Sequence, residues 1–450
     1  MEKTFGLIPS VYGCDDNFIW PLTLILLMLG ITVFIKVQFD LLHPAFLFIG
    51  GITACCALDA TVIEMWDLPF HFNTAIILIG MVGCFLAGSV LVEASTQYRE
   101  GEGNSMTKIG GVSIGAGLWI SLMLISLFCT YMNYREFLEL ARQVTNAENI
   151  KDMLFPVIDG IAHNKIEFSR GFAYRIVFVK CVAYVALFFV WKNMFVRQYV
   201  NCIKWGSLLF SYPIILFFTG GRQAFLYLAM FGVVSYILVL RQNTAGSRHE
   251  VLKKEFRIVS LGLGTFLLFF IGIGLLNGKI GNLASSFQVM AHYGGTNISA
   301  FDVYINQIHL PENSYIGTST LSAFYSLLKK IGVSVPGYTS YITDFVDFRY
   351  ITTNVYTAFY RYIQDYGFVG CGVLLFILGY VYTYAYRSVA RYGLKNWMIL
   401  AYSAITFPLF LMGREERFLN ETFVLQQIVT VFMLSGLNYL IDHNGKKLPR

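Results

Sequence analysis

Long apolar runs alternate with short polar connections along nearly the whole chain. Eleven runs stand out, at about 18–36, 41–60, 73–93, 111–131, 171–191, 200–219, 223–241, 257–277, 366–386, 396–412 and 421–440. Each approaches the roughly 17–25 apolar residues that a helix needs to cross a bilayer. Helices satisfy their own backbone groups where water is absent, so runs of this length predict spanning helices. The expected fold is an all-α polytopic integral membrane protein with about eleven transmembrane helices. Two polar insertions interrupt the pattern, 132–170 and 278–365. With no internal repeat and no low-complexity linker, residues 1–450 read as a single membrane domain. The start, "MEKTFGLIPSVYGCDDNF", has no apolar core and is not expected to be a signal peptide.

Composition sharpens this picture. Of 450 residues 56% are hydrophobic and 13% charged, against about 25% charged in soluble domains. A net charge of +6 spread over loops is no nucleic-acid footprint. It reports orientation instead, because short loops rich in Lys and Arg stay in the cytoplasm. The basic segments 241–257, 387–396 and 443–450 fall on one side of an eleven-helix chain. The C-terminus is then cytoplasmic, and 132–170, 278–365 and 413–421 are external. One tension is the basic content of 132–170, with Arg135, Arg142, Lys151, Lys165 and Arg170. Seven of the eight cysteines lie in or beside apolar runs, which gives neither a disulfide framework nor zinc-ligand spacing.

Charged residues beside the membrane are costly, so their positions carry information. In "PIILFFTGGRQAFLYLAMFG", Arg222 follows the reversing Gly220–Gly221 pair and opens a helix. A guanidinium at a helix N-terminus suits an anion, although a snorkelling arginine would look the same. "LMGREERFLNETF" repeats the arrangement with Gly413, Arg414 and Arg417. Arg349 and Arg361 add cations in the long insertion. A diphosphate on a lipid would compensate these charges at the right depth. Alternatively, Glu415 and Glu416 pair with the arginines in a structural cluster.

The 278–365 segment mixes polar and aromatic residues. Tyr293, Tyr304 and Tyr356, with Asn354, suit a glycan groove, since a phenol ring offers a flat apolar face and a hydroxyl. The stretch "AHYGGTNISAFDVYIN" reads as a helix broken at Gly294–Gly295. Ile298, Phe301 and Tyr304 would form a face lying on the membrane. His292, Asp302 and Asp365 are the candidates for proton transfer, unranked, with His163 and His309 weaker. Asp365 also stands four residues after Arg361, the spacing of an ordinary helical ion pair. Asp59, Glu64 and Asp67 in "LDATVIEMWDLPFHFN" read as a solvated turn rather than metal ligands. Asn297-Ile-Ser299 and Asn420-Glu-Thr422 match glycosylation sequons.

Together, "GGRQA", "YGGTNISAFDVYI" and "TNVYTAFYRYIQDYGFVG" resemble, in their order over about residues 200–440, the Wzy-type oligosaccharide repeat-unit polymerases of bacterial envelopes. The resemblance implies a GT-C-like glycosyltransferase that needs no metal and no cofactor. Such an enzyme transfers a glycan from undecaprenyl diphosphate to the non-reducing end of another lipid-linked repeat unit. It implies the bacterial inner membrane, an external active site, and a flippase and chain-length regulator as partners. On this reading Arg222, Arg361 and Arg414 bind diphosphate, supported by Arg349 and Arg417. An O-antigen ligase shares the architecture and donor. A flippase of the same lipid-linked units is the alternative of a different class, disfavoured here by apolar runs that read as mostly uninterrupted.

Overall fold

The computed structural model describes residues 7–11, 17–97, 110–162, 165–218, 223–243, 248–276, 283–307, 317–334, 345–391, 395–419, 425–444 and 446–447. Strand β1 (Leu7–Val11) precedes helices α1 (Ile19–Lys36), α2 (Pro44–Trp66) and α3 (Phe72–Gln97). Strand β2 (Val112–Ser113) leads to α4 (Ala116–Val144), α5 (Ile150–Ala162), α6 (Arg170–Phe195), α7 (Tyr199–Ser207), α8 (Ser211–Phe217), α9 (Gln223–Asn243) and α10 (Arg248–Leu276). Next come α11 (Leu283–Gly294), α12 (Thr296–Gln307), α13 (Ser322–Lys330), β3 (Phe345–Phe348), β4 (Thr352–Thr353) and α14 (Ala358–Arg391). The chain finishes with α15 (Asn396–Ile405), α16 (Phe407–Phe410), a 3-10 turn at Leu411–Gly413, α17 (Leu425–Asn444) and β5 (Lys446–Lys447).

Among the described residues, ten helical segments are long and apolar enough to cross a membrane. The protein is an all-α, multi-pass membrane protein. The eleventh expected run corresponds to a shorter apolar helix, Gln426–Ile441. Two runs expected to be continuous are broken. The 200–219 run divides into α7 and α8 across 208–210, and the 396–412 run divides at Thr406. Pro408 stands in the first turn of α16, where its missing N–H is tolerated. Helix α14 bends at Gly367, whose φ of 67° is a conformation that glycine adopts readily.

The chain forms two compact units. The first comprises Met1–Gly103, Phe287–Ser388 and Ile405–Leu425. Its core includes Phe48, Phe85, Phe301, Phe359 and Tyr362, with Phe48 stacked on Phe85 at 4.0 Å. Backbones approach closely where side chains are absent, as in other membrane helix packings. A Cβ added at Gly88 would lie 2.0 Å from the Phe376 carbonyl oxygen, and one at Gly379 would lie 2.1 Å from that of Phe85. Helices α3 and α14 therefore cross in backbone contact. Gly88→Val is expected to force them apart and to cost about 1–3 kcal/mol through overpacking, read as a lower Tm in detergent. A small sheet orders β1-β3-β4, with β1 parallel to β3 (Leu7 beside Phe345) and β4 antiparallel to it.

The second unit comprises Asn104–Ser286, Val389–Ala404 and Gln426–Arg450. Tyr184 stacks on Phe231 at 4.1 Å and Phe189 on Trp205 at 4.7 Å. The buried Asn193 amide bonds both the N–H and the carbonyl of Val112. The 132–170 insertion is largely helical. Helix α4 continues to Val144, and α5 packs on it through Phe137, Leu140, Leu154 and Val157.

Candidate active site around helix α12

Helix α12 was expected to lie on the membrane through one apolar face. Instead it is enclosed in the first unit, with Thr296 through Tyr304 at most 2% exposed. Its polar side chains allow this because they find partners on other segments. Ser299 Oγ donates to Asp59 Oδ2 at 2.8 Å, and the Asn297 amide donates to the Gly413 carbonyl. A Cβ at Gly295 would meet the Asp59 nitrogen at 2.8 Å and the Leu58 carbonyl carbon at 3.0 Å. Glycine there lets α12 seat directly against α2. Asp59 is consequently not part of a solvated turn. Helix α2 runs on to Trp66 and buries Asp59 completely, with Oδ1 lacking a hydrogen-bond partner. The sequon residue Asn297 is equally buried.

Asp302 is the one carboxylate of this helix. Its Oδ1 accepts from the His71 backbone N–H (2.8 Å), the Thr74 hydroxyl (2.6 Å) and the Asn306 amide (3.2 Å). Its Oδ2 accepts from His71 Nδ1 at 2.7 Å. A carboxylate receiving four donors orients its partner rather than abstracting protons itself. Of this pair, His71 is the member that a ligand can reach. With Nδ1 donating, Nε2 is the acceptor nitrogen, and the His71 side chain is 39% exposed while Asp302 is fully buried. Sequence reasoning missed His71. Its signal was weak, a histidine one residue before α3 in "PFHFNT", and its partner lies 231 positions away.

The other expected proton carriers have different surroundings. Asp365 accepts from the Ser319 and Thr320 backbone N–H groups (3.0 and 2.6 Å) and from the Thr320 hydroxyl (2.7 Å). It anchors the turn before α13. Arg361, expected to bind diphosphate or else to pair with Asp365, points Nη1 at the carbonyl of the same Ser319, 3.5 Å away. His292 stands edge-on to Trp66 at 6.3 Å, and burial pushes its pKa below the ordinary 6.5. A histidine with a depressed folded pKa binds fewer protons than in the unfolded chain, so stability is lost as pH falls through about 6.5. His292→Gln is expected to reduce the drop in Tm between pH 7.5 and pH 5.5, measured in detergent (roughly the window the unfolded value sets).

The tyrosines also separate. Tyr304 and Tyr356 are 2% and 4% exposed. Tyr356 stacks on Tyr360 at 4.2 Å, and Tyr304 meets the same ring edge-on at 4.5 Å. They are packing residues of the core and not the sugar platform expected of them. Tyr293 is half-buried and Asn354 exposed, so these two retain surface for a ligand.

Of the arginines, Arg414 and Arg417 are together. Glu415 is shared between them, at 3.5 Å from Arg414 Nη1 and 2.6 Å from Arg417 Nη2. The pairing expected of a structural cluster is thus present, with two cations on one carboxylate. Glu416 is directed elsewhere, accepting from Leu419 N–H (2.6 Å) and the Tyr362 hydroxyl (3.2 Å). The Arg414 guanidinium lies over the Tyr293 ring at 5.8 Å. Through Asn297 this turn is tied to α12, five residues from Asp302, or about 7.5 Å along the helix axis. Arg349 lies 3.6 Å from Asp67 and is 55% exposed. Asp67 itself closes α2 in a left-handed conformation, φ 54°. Arg222, with Gly220 and Gly221, lies outside the described residues, as do His163 and His309.

Comparison with models of known protein families, with curated proteins and with solved structures finds no match.

Proposed function

We propose that the protein is a membrane glycosyltransferase that extends an oligosaccharide carried on undecaprenyl diphosphate, a repeat-unit polymerase acting at the external face of a bacterial inner membrane. The observation that carries this reading is the His71–Asp302 pair, an exposed imidazole held by a buried, fully bonded carboxylate, joined by one helix to a turn with two arginines. In the reaction the acceptor sugar hydroxyl attacks the anomeric carbon of the donor glycan. Its proton passes to His71 Nε2. The bond from the anomeric carbon to the diphosphate oxygen breaks, and the diphosphate leaves with the electron pair. Arg414 and Arg417 stabilise the charge that develops on it. Asp302 keeps His71 in the accepting tautomer and stabilises the imidazolium.

Deleting the gene in its host and separating the surface glycan by size tests the reading. The expected result is a ladder collapsed to single repeat units, restored by the native protein and not by His71→Gln. An unchanged ladder would end this proposal. Complete loss of surface glycan would favour the ligase instead. The broken segments at 199–217 and 396–413 also support a second reading, a transporter of lipid-linked glycan, because interrupted helices are common in such proteins. Movement of a labelled lipid-linked glycan across liposomes without new sugar bonds would favour it.

A further inference from the structure

Helices α3 and α14 cross in backbone contact at two glycines. The contacts of Gly88 with the Phe376 carbonyl and of Gly379 with the Phe85 carbonyl leave no room for a side chain. On the other side of this crossing the two helices part around a groove of about 750 Å³. Its walls include Ile77, Met81, Cys84, Phe368, Val373 and Phe376, and no charged side chain lines it. Gly80 and Gly372 also line the groove. From Ile77 to Cys84 it extends about 10 Å along α3, at 1.5 Å per residue, within segments apolar enough to span a membrane.

The two ends of the groove differ. One end closes at the backbone contact just past Cys84 and Phe376. The other opens at Ile77, one helical turn from Thr74, whose hydroxyl is bonded to Asp302. On α14 it opens at Phe368, directly after the Gly367 bend and three residues from Asp365. An apolar groove that is open along its side and runs from the helix crossing towards the His71–Asp302 pair is shaped for an amphiphile with its polar end at the dyad.

We infer that this groove between α3 and α14 holds the head-proximal part of the hydrocarbon chain of the lipid-linked donor, entering from the end beside Thr74 and His71. The inference rests on the proposed function for the identity of the head group. The commitment is to the donor's own chain rather than to a bulk phospholipid, because the open end leads to the dyad. Chain burial there would fix the depth of the diphosphate relative to His71, so the groove is a binding subsite of the same reaction.

The test measures binding of undecaprenyl diphosphate and of methyl diphosphate, the same head group on a single carbon too short to enter the groove, to the purified protein in phosphatidylcholine nanodiscs. A Cβ at Gly80 meets nothing within 4 Å, so Gly80→Leu fills the groove without a backbone clash. This variant is expected to bind the long-chain probe about tenfold more weakly, a change of the size expected from blocking an apolar subsite, and the short-chain probe as well as wild type. If wild type binds both probes and Gly80→Leu binds both unchanged, the groove assignment is overturned while the function stands. If wild type binds neither diphosphate, both fall. A benzophenone amino acid in place of Val373 gives a second readout in case Gly80→Leu does not fold. Photo-adducts bearing the mass of undecaprenyl diphosphate support the assignment, and adducts of phosphatidylcholine alone overturn it.

Discussion

His71→Gln is expected to reduce glycan transfer by about 100- to 10,000-fold, the range that a positioned general base contributes, with little change in Tm. The two readouts separate because of where the residue sits. The imidazole is 39% exposed, so its removal leaves no large cavity, and the His71 backbone N–H still binds Asp302. Asp302→Ala should behave differently. It leaves the buried Thr74 hydroxyl and the His71 backbone N–H without their acceptor, and frees the half-exposed imidazole, while the Asn306 amide keeps the Asp302 carbonyl and the Thr74 hydroxyl oxygen. Unsatisfied buried donors cost about 1–3 kcal/mol each, so this variant should lose stability as well as activity. Asp302→Asn keeps the volume but weakens the preference for one His71 tautomer, and should retain the fold with strongly reduced transfer. Transfer and thermal unfolding, measured on the same detergent preparations, check all three. If His71→Gln lowered Tm as much as Asp302→Ala and left transfer intact, the pair would be a structural tie.

The spanning helices were legible because length and apolarity alone decide them. So was the turn at Gly413–Arg414, where a glycine stops one apolar segment and a charge follows. Helix α12 was legible as a helix broken from α11 at Gly294–Gly295, but its location was not. Ile298, Phe301 and Tyr304 make a face that suits a membrane surface equally well. What decides its burial is the supply of partners for Asn297, Ser299 and Asp302, and those partners come from residues 413, 59 and 71. No local pattern reveals such pairings. The same limit explains His71, which looks ordinary until Asp302 is placed against it. Tyr304 and Tyr356 carry the composition of a sugar site, but each ring packs on Tyr360, and a tyrosine in sequence does not say which of its two surfaces is covered. The breaks at 208–210 and Thr406 were only partly foreseeable, through the helix-start preference of Pro408.

The turn around Glu415 makes a prediction with two opposite signs. Arg414 and Arg417 share this carboxylate, so an incoming diphosphate competes with Glu415 for the same guanidinium groups. Arg414→Ala removes charge-assisted hydrogen bonds to the ligand, each of about 1.5–3 kcal/mol. The expected result is donor binding weaker by roughly 10- to 100-fold. Arg414→Lys should recover only part of this, since an ammonium keeps the charge but not the planar fork. Glu415→Gln, in contrast, removes the competitor while keeping its size, and should tighten donor binding a few-fold. A purely structural cluster predicts something else. There, losing either the arginine or the carboxylate would loosen the same turn, and both variants would weaken binding and lower Tm together. Titration of undecaprenyl diphosphate against wild type, Arg414→Ala and Glu415→Gln separates these cases by the sign of one change. Tighter binding by Glu415→Gln would mean that the carboxylate occupies the place of the anion, while weaker binding would mean that the arginines serve the fold and the diphosphate is held elsewhere.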